Sequence, residues 1–154
     1  MTTDGPDKSS ANDRLEAAYL ASSPAEMRAA LKDGANPNLC LEDSPLLCSA
    51  AAMGDIDAVE ALLTAGADVN ARGMLGLTPA MVVAWIGRNP EHSQVLERLI
   101  QAGADLSLRE PGGRTALDLT RDIPNKTAMQ ILERAHAPSG RPATPRRDDG
   151  WQLG

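Results

Sequence analysis

Apolar residues recur at helical spacing in three places along the chain, and each run leads into a glycine-led motif. The runs are Met27/Ala30/Leu31, Val59/Leu62/Leu63 and Leu96/Leu99/Ile100. Residues spaced three and four apart share one face of an α-helix. The motifs that follow are Gly-Ala-Asn-Pro-Asn at 34–38, Gly-Ala-Asp-Val-Asn at 66–70 and Gly-Ala-Asp-Leu-Ser at 103–107. We therefore predict that each helix ends before a left-handed glycine and that a turn follows.

The motif repeats at nearly constant intervals, with 32 residues from Gly34 to Gly66 and 37 from Gly66 to Gly103. Such a period is typical of a repeat array and not of a globular enzyme. Further apolar segments lie at 44–54 and 76–87, before the second and third runs, and at 113–120, after the third run. Thr78 followed by Pro79 is a helix N-cap followed by a residue suited to the first helical position. The pattern therefore predicts pairs of helices joined by turns.

These motifs resemble those of the ankyrin-repeat family, whose unit of about 33 residues is a β-turn and two antiparallel helices with a T-P-L-H-x-A signature. The resemblance extends from about Leu15 to Ala135 and is weakest in the first unit. It implies an all-α solenoid of stacked helix-turn-helix units with short β-turn or hairpin loops. We expect four units, at approximately 13–39, 40–72, 73–109 and 110–136. Residues 1–12 and the Pro/Arg-rich tail, residues 137–154, are expected to be disordered.

The sequence departs from the family pattern at the signature histidine. Met81 and Asp118 take its place, and in the second unit the position falls on Leu47 or Cys48. The usual hydrogen bond between successive turns therefore has no obvious donor. The third unit has four extra residues between its helices, for which Asn89 as cap and Pro90 as first helical residue predict one added turn. Ser23 to Glu26 has the pattern of a capping box.

Composition narrows the class of protein. With no Phe, one Tyr and two Trp among 154 residues, the core has to be aliphatic. The net charge is −6, of which the tail contributes +1, so residues 1–136 carry −7. An acidic array is a poor partner for nucleic acid, whose binding depends on Lys and Arg. Without an 18-residue apolar run or a secretory signal, we expect a cytoplasmic monomer that does not bind membranes.

Residues with catalytic or metal-binding chemistry are few. His92 and His136 lack a second ligand at metal spacing and are interpreted as surface histidines. Cys40 and Cys48 are interpreted as reduced, buried small residues. The segment 112–115, Gly-Gly-Arg-Thr, lacks the lysine and the preceding strand of a phosphate-binding loop. We therefore predict no enzyme, no cofactor, no metal and no small-molecule substrate.

The resemblance implies a protein partner bound on the concave face, at positions that the repeat framework leaves free. Mapped onto this chain, those positions carry an apolar stripe in place of polar residues. The predicted contacts are Leu20, Met53, Met74, Leu75, Leu77, Trp85, Ile86 and Ile123, together with the acidic Glu42 and Asp43. Contiguous exposed apolar surface marks an interface, and Trp is enriched in such surfaces. In the alternative arrangement Trp85 packs inward.

The predicted function is binding itself. The array is interpreted as a stand-alone inhibitor, masking protein or regulator of one cognate protein. The alternatives are a toxin-neutralising immunity protein, a passive scaffold or adaptor, and a secreted effector. The tail adds a second candidate, because Trp151-Gln152-Leu153 is an apolar tip on a basic segment. That segment either folds back on the array, serves as a linear motif for another protein, or is plain disorder.

Overall fold

Helices dominate the computed structural model of the protein, which describes residues 8–123 and 125–136. The helices within these ranges are α1 (Lys8–Leu20), α2 (Pro24–Lys32), α3 (Leu46–Met53), α4 (Ile56–Thr64), α5 (Pro79–Ile86), α6 (Pro90–Gln101), α7 (Ala116–Asp122) and α8 (Lys126–His136). Two short antiparallel strands, β1 (Cys40–Leu41) and β2 (Ser44–Pro45), form a hairpin before α3. A 3₁₀ turn covers Met74–Gly76 before α5.

The helices form antiparallel pairs that stack in two layers. Within each unit the two helices contact one another, as in α1 with α2 and α3 with α4. Along the stack α5 lies between α3 and α7 in one layer, while α2, α4, α6 and α8 follow one another in the second. Each unit therefore contacts mainly its neighbours, which is the defining property of a solenoid. The predicted all-α repeat architecture is confirmed.

A Schellman motif ends three of the second helices, as the glycine pattern predicted. Gly34, Gly66 and Gly103 have φ of 103°, 96° and 98°. At the first of them the Gly34 N–H donates to the Leu31 carbonyl at 3.1 Å, and the next N–H, of Ala35, donates to the Ala30 carbonyl at 3.0 Å. The same pair of bonds recurs at the other two glycines. A residue with a Cβ would be strained at this φ, which explains why the repeated motif begins with glycine.

The beginnings of the helices follow the sequence in most places. The Thr78 hydroxyl accepts the Met81 N–H at 3.3 Å, and Thr115 forms a capping box with Asp118. The extra residues of the third unit lengthen α6 to 12 residues, with Asn89 as N-cap and Pro90 first, as predicted. The capping box predicted at Ser23 is wrong, because the structure shows no capping bond from that side chain although α2 begins there.

A ladder of asparagine side-chain amides joins α1 and the turns of successive units. The Asn12 Oδ1 accepts the Asn36 N–H at 2.7 Å, and the Asn38 Oδ1 accepts the Asp68 N–H at 2.7 Å. The Asn70 Oδ1 accepts the Asp105 N–H at 2.8 Å. The side chains of Asn38 and Asn70, which end two of the glycine-led motifs, thus make the links between turns for which no histidine is available.

The structure also resolves the register of the second unit. Both α3 and α5 have eight residues, so Cys48 is equivalent to Met81 and occupies the position of the signature histidine. Its Sγ donates to the Ala71 carbonyl at 3.4 Å and lies 3.8 Å from the Leu77 carbonyl. Cys48 therefore connects its helix to the following turn, and its predicted burial is confirmed. Cys40, also predicted to be buried, is exposed in β1, so that prediction is wrong.

The boundaries of the array differ from the prediction at the N-terminal end. Residues 8–12, expected to belong to a disordered segment, form the first turns of α1, where Ala11 is fully buried. The register explains the error, because Ser9, Ser10 and Asn12 hide the helical periodicity that Ala11, Leu15 and Ala18 carry. Residues 1–7 and the tail, for which disorder is predicted, lie outside the described residues.

The core is aliphatic, as the composition predicted. The largest fully buried side chains are Leu15, Met27, Leu46, Leu47, Val59, Leu62, Met81, Val83, Val95, Leu96, Leu99 and Leu132. In each of the three apolar runs the first two residues are buried and the third, such as Leu63, is only partly covered. The core therefore runs continuously between the two layers of helices.

Candidate functional site

A cleft opens between the turns and first helices of the second and third units. It encloses about 260 Å³. Its lining comes from the hairpin, from α3, from the 3₁₀ turn and from α5. The lining residues are Leu41, Glu42, Ser44, Cys48, Ser49, Ala52, Met74, Leu75, Leu77, Val82, Trp85 and Ile86. The cleft thus lies where the repeat framework was expected to leave positions free.

The hairpin forms one wall of the cleft. The pairing of Cys40 with Pro45 and of Leu41 with Ser44 leaves Glu42 and Asp43 as a two-residue loop. Both have positive φ, 49° and 66°, which is the type I′ geometry that suits the twist of a hairpin. Asp tolerates this conformation better than Glu does. Both acidic side chains are exposed, and Glu42 lines the cleft.

The 3₁₀ turn forms the opposite wall. The Gly76 N–H donates to the Gly73 carbonyl at 3.0 Å, and the Gly73 N–H donates to the Leu77 carbonyl at 2.9 Å. Between them Leu75 adopts a left-handed conformation with φ of 63°. For a leucine this conformation costs roughly 1–2 kcal/mol. The turn therefore holds an apolar side chain outward at an energetic cost.

Arginine side chains donate hydrogen bonds to the backbone of this turn and of the following turn. One terminal nitrogen of Arg72 donates to the Gly76 carbonyl at 2.8 Å and to the Arg109 carbonyl at 2.7 Å. Arg109 in turn donates to the Gly113 carbonyl at 2.7 Å in the next unit. The guanidinium groups nearest the turn are thus engaged with backbone carbonyls of the same and the following turn.

Trp85 belongs both to the core and to the cleft. Its side chain is half-buried and packs against the core, and it also lines the cleft beside Ile86. The two alternatives for Trp85, outward on the concave face or inward in the stack, are therefore each realised in part. Ala52, at the equivalent position one unit earlier, also lines the cleft.

Most of the apolar stripe is exposed, but it divides into two groups. Met74, Leu75 and Ile86 rim the cleft with 64%, 62% and 40% of their surface accessible. Leu20 and Met53, 70% and 74% accessible, are exposed away from the cleft lining. Ile123 is half-buried and is also absent from that lining.

Leu77 corrects the predicted set of contacts. Only 6% of its surface is accessible, so it is a core residue at the base of the cleft and not an exposed contact. It comes one residue before the cap of α5, where the chain turns inward to begin the helix. The extended backbone at Leu77, with φ of −90° and ψ of 140°, aims its side chain in the direction opposite to its neighbours in the turn.

The electrostatic character of the cleft is simple. Among the described residues that line it, Glu42 is the sole formally charged side chain at neutral pH, and none is basic. The pKa of the Cys48 thiol is raised to about 12, because burial disfavours the thiolate and Cys40 adds to the effect. The thiol is therefore neutral and serves as a hydrogen-bond donor. An apolar cleft with an acidic rim favours an apolar side chain that has a basic neighbour.

The sequence did not identify several lining residues that a unit-by-unit alignment could have found. Cys48 and Ala52 are four apart on α3, and Val82 and Ile86 are four apart on α5. Residues at this spacing share a helix face. Extending the predicted face of Ile86 back by one turn would have predicted Val82 as part of the site.

His92 also departs from its prediction. It is buried, with 9% of its surface accessible, and an Nε2···O distance of 2.9 Å joins its ring to the Ala52 carbonyl. Its side chain occupies the space beside Gly54 and Gly87, where an added Cβ would come within 3.2 Å and 2.7 Å of it, respectively. The surface interpretation is wrong because the glycines at the interhelical loops leave room for a side chain from α6. The side chain of His136 lies outside the described residues.

Other chemistry-bearing residues take structural roles. The segment 112–115 forms a turn that leads into the capping box of α7. Hydrogen bonding to Arg114, chiefly to its backbone N–H, lowers the pKa of the Glu110 carboxyl. Within residues 8–123 and 125–136, no group of three or more His, Cys, Asp or Glu side chains is arranged to hold a metal ion. None of the described helices is long and apolar enough to cross a membrane.

Comparison with known proteins agrees with the architecture. The model of the ankyrin repeat family matches residues 42–74, from the hairpin through α3 and α4 to the next turn. A protein of Rickettsia felis whose name describes it as an ankyrin repeat protein is 34% identical over 87 residues. The match covers 56% of this chain and 44% of the relative, so the chain spans less than half of that relative's length.

The fold and the site define a class of protein, a helical repeat array that exposes an apolar cleft on the side of its turns. The family match identifies residues 42–74 as an ankyrin repeat, and the neighbouring helix pairs share the same architecture. Such repeats act as protein–protein interaction modules and are typically not enzymes.

Proposed function

We propose that the cleft between the second and third units is the centre of a surface that binds one cognate protein. By covering part of that protein, the chain acts as an inhibitor, a masking protein or a regulator. The residues proposed to make the contact are Met74, Leu75, Trp85 and Ile86, with Glu42 and Asp43 at the rim.

One observation carries the proposal: Leu75 is held outward by a strained turn. Its φ of 63° costs free energy that glycine would avoid, and 62% of the side chain is accessible to solvent. Neither the strain nor the exposure stabilises the isolated chain. Both features are expected of a binding surface, because strained backbone conformations concentrate at binding sites and exposed apolar clusters mark interfaces.

The neighbours of Leu75 support a preformed contact. Hydrogen bonds from Arg72 and Gly73 fix the turn, and the half-buried Trp85 is fixed by the core below it. Side chains already held in place lose little conformational entropy on binding. Aromatic residues in such central, partly covered positions contribute most to binding free energy.

Leu75→Gly separates binding from folding. Glycine accepts the left-handed turn, so the free energy of unfolding is expected to stay within about 1 kcal/mol of the parent. Binding to the cognate protein is expected to weaken by on the order of 2 kcal/mol, as for the loss of an interface hot spot. Met53→Ala is the matched control, because it removes an apolar side chain that is even more exposed and lies outside the cleft.

The experiment compares the tagged full chain with both variants. Affinity purification from the cells that produce the protein, followed by mass spectrometry, identifies the partner, and calorimetry then measures its affinity for each chain. A single stoichiometric partner that is lost with Leu75→Gly and retained with Met53→Ala supports the proposal. A partner that binds all three chains equally well would show that the contact lies elsewhere, and several substoichiometric partners would favour a scaffold.

A further inference from the structure

We propose that the chain's own tail occupies the cleft, with Trp151 and Leu153 inserted and the Arg146–Arg147 pair beside the acidic rim. The tail is residues 137–154, which lie outside the described residues. In this arrangement the tail and the cognate protein compete for the same surface. The inference goes beyond the proposed binding function, because it concerns how that surface is regulated.

The size and lining of the cleft fit this occupant. Its volume of about 260 Å³ is below the roughly 300–1,000 Å³ of pockets that take drug-sized ligands, and it suits one or two large side chains. Trp151 and Leu153 are two residues apart, so in an extended segment both face the same way. They are the large apolar residues of the tail, whereas the rest of it is small, polar or charged.

The topology brings the tail within reach. As the second helix of its unit, α8 packs beside α6, and second helices in this stack end on the side where the turns begin. Fourteen residues separate His136 from Trp151, and extended chain covers about 45 Å over that length. Packed helices are about 10 Å apart, so a cleft one to two units away lies roughly 20 Å along the stack.

Charge favours the same pairing. The tail carries a net charge of +1 and the remainder of the chain −7. Glu42 and Asp43 are exposed at the rim, and none of the described residues that line the cleft is basic. Asp148 and Asp149 follow the two arginines, so the attraction is modest and the apolar pair provides most of the docking.

The linkage makes even a weak contact effective. A short flexible connection gives an effective concentration on the order of 1 mM. A segment whose affinity as a free peptide is about 0.1 mM would then fill the cleft roughly nine-tenths of the time. A competing ligand would bind about tenfold more weakly to such a chain than to one with an empty cleft.

Nuclear magnetic resonance of the full chain tests the contact directly. Substituting Trp151→Ala together with Leu153→Ala should shift the amide signals of Ala52, Leu75 and Ile86. The signals of Lys32 and Thr64, which lie on the opposite layer, should remain unchanged. The shifts should be independent of protein concentration, as an intramolecular contact requires. Unchanged cleft signals would refute the proposal, and concentration-dependent shifts would assign the contact to a second copy of the chain.

A labelled peptide of residues 141–154 provides the second measurement. It should bind the doubly substituted chain about tenfold more tightly than the parent, whose cleft is already occupied. Glu42→Lys with Asp43→Lys should weaken binding of this peptide to the doubly substituted chain. Glu97→Lys with Glu133→Lys, which changes the net charge equally but on α6 and α8, should not. Equal peptide affinity for the parent and the doubly substituted chain would overturn self-occupancy.

Discussion

At the scale of single residues, two side chains lie in unfavourable environments: the backbone at Leu75 is strained, and the thiol of Cys48 is hard to ionise. Leu75 is held in a left-handed turn, and Cys48 is buried with its thiol donating to a backbone carbonyl. Such a thiol ionises with difficulty because the surrounding protein replaces the water that would stabilise a thiolate. Its pKa, about 12 in the folded chain, compares with an ordinary value of 9.0.

This pKa difference predicts a pH dependence of stability. Above pH 9 the thiol of the unfolded chain loses its proton while the folded chain keeps it, so rising pH favours unfolding. The contribution of Cys48 is complete below pH 9 and is lost progressively towards pH 12. Denaturation between pH 8 and pH 10.5 should show the parent losing up to about 1.4 kcal/mol per pH unit more than Cys48→Ala.

The comparison of slopes isolates Cys48 from other groups. Tyr19, whose pKa is raised mainly by burial, is present in both chains and cancels in the difference. The cavity left by alanine lowers stability at every pH and does not change the slope. Parallel curves for the two chains would show that the thiol is solvated in the folded state.

The exposure and burial of single side chains were also harder to predict from the sequence than the helices and turns were. The exposure of Met74 and Ile86 followed from their positions in the repeat, because the framework leaves those positions free. The burial of Leu77 and His92 did not follow. Each depends on how neighbouring units fit together, on the inward turn before α5 for Leu77 and on space above two glycines for His92.

At the scale of elements, hydrogen bonds to asparagine side chains join α1 and the turns of successive units. In the ladder, the side-chain oxygens of Asn12, Asn38 and Asn70 each accept a hydrogen bond from a backbone N–H of the following turn. The glycine-led motif predicted the turns themselves, since a left-handed C-cap and an Asx residue are local signals. The partners of the Asx side chains were not predictable in this way, because they are 24 to 35 residues away.

Removing one rung measures its contribution. Asn38→Ala deletes the acceptor of the Asp68 N–H while leaving the motif's glycine intact. The free energy of unfolding is expected to fall by about 0.5–1.5 kcal/mol, the net value of one hydrogen bond. Asn89→Ala is the control, since this exposed asparagine makes no capping bond in the structure. Equal losses for both variants in urea denaturation would deny the ladder a specific role.

At the scale of the whole molecule, the predicted all-α solenoid is confirmed, and the described residues begin the stack earlier than the sequence indicated. The first helix begins at Lys8, five residues before the predicted start of the array. Its first turns bury Ala11 and present Asn12 to the turn after α2. Residues 8–12 thus form part of the first unit, although their polar composition predicted disorder.

Deleting residues 1–12 should therefore destabilise the array more than deleting residues 1–7. The longer deletion removes a buried methyl group and the first rung of the ladder, together about 2 kcal/mol. The difference between the midpoints of thermal unfolding isolates residues 8–12. Identical midpoints for the two deletions would mean that these residues contribute nothing to the stack.

The ladder has a mechanical consequence. Two of its rungs, Asn38 to Asp68 and Asn70 to Asp105, link successive turns, so a force that pulls the two ends apart along the stack loads these two rungs in series. A lattice with many bonds in parallel would resist and then fail at once. Because each unit here contacts mainly its neighbours, we expect the units to come apart in separate steps under such a force.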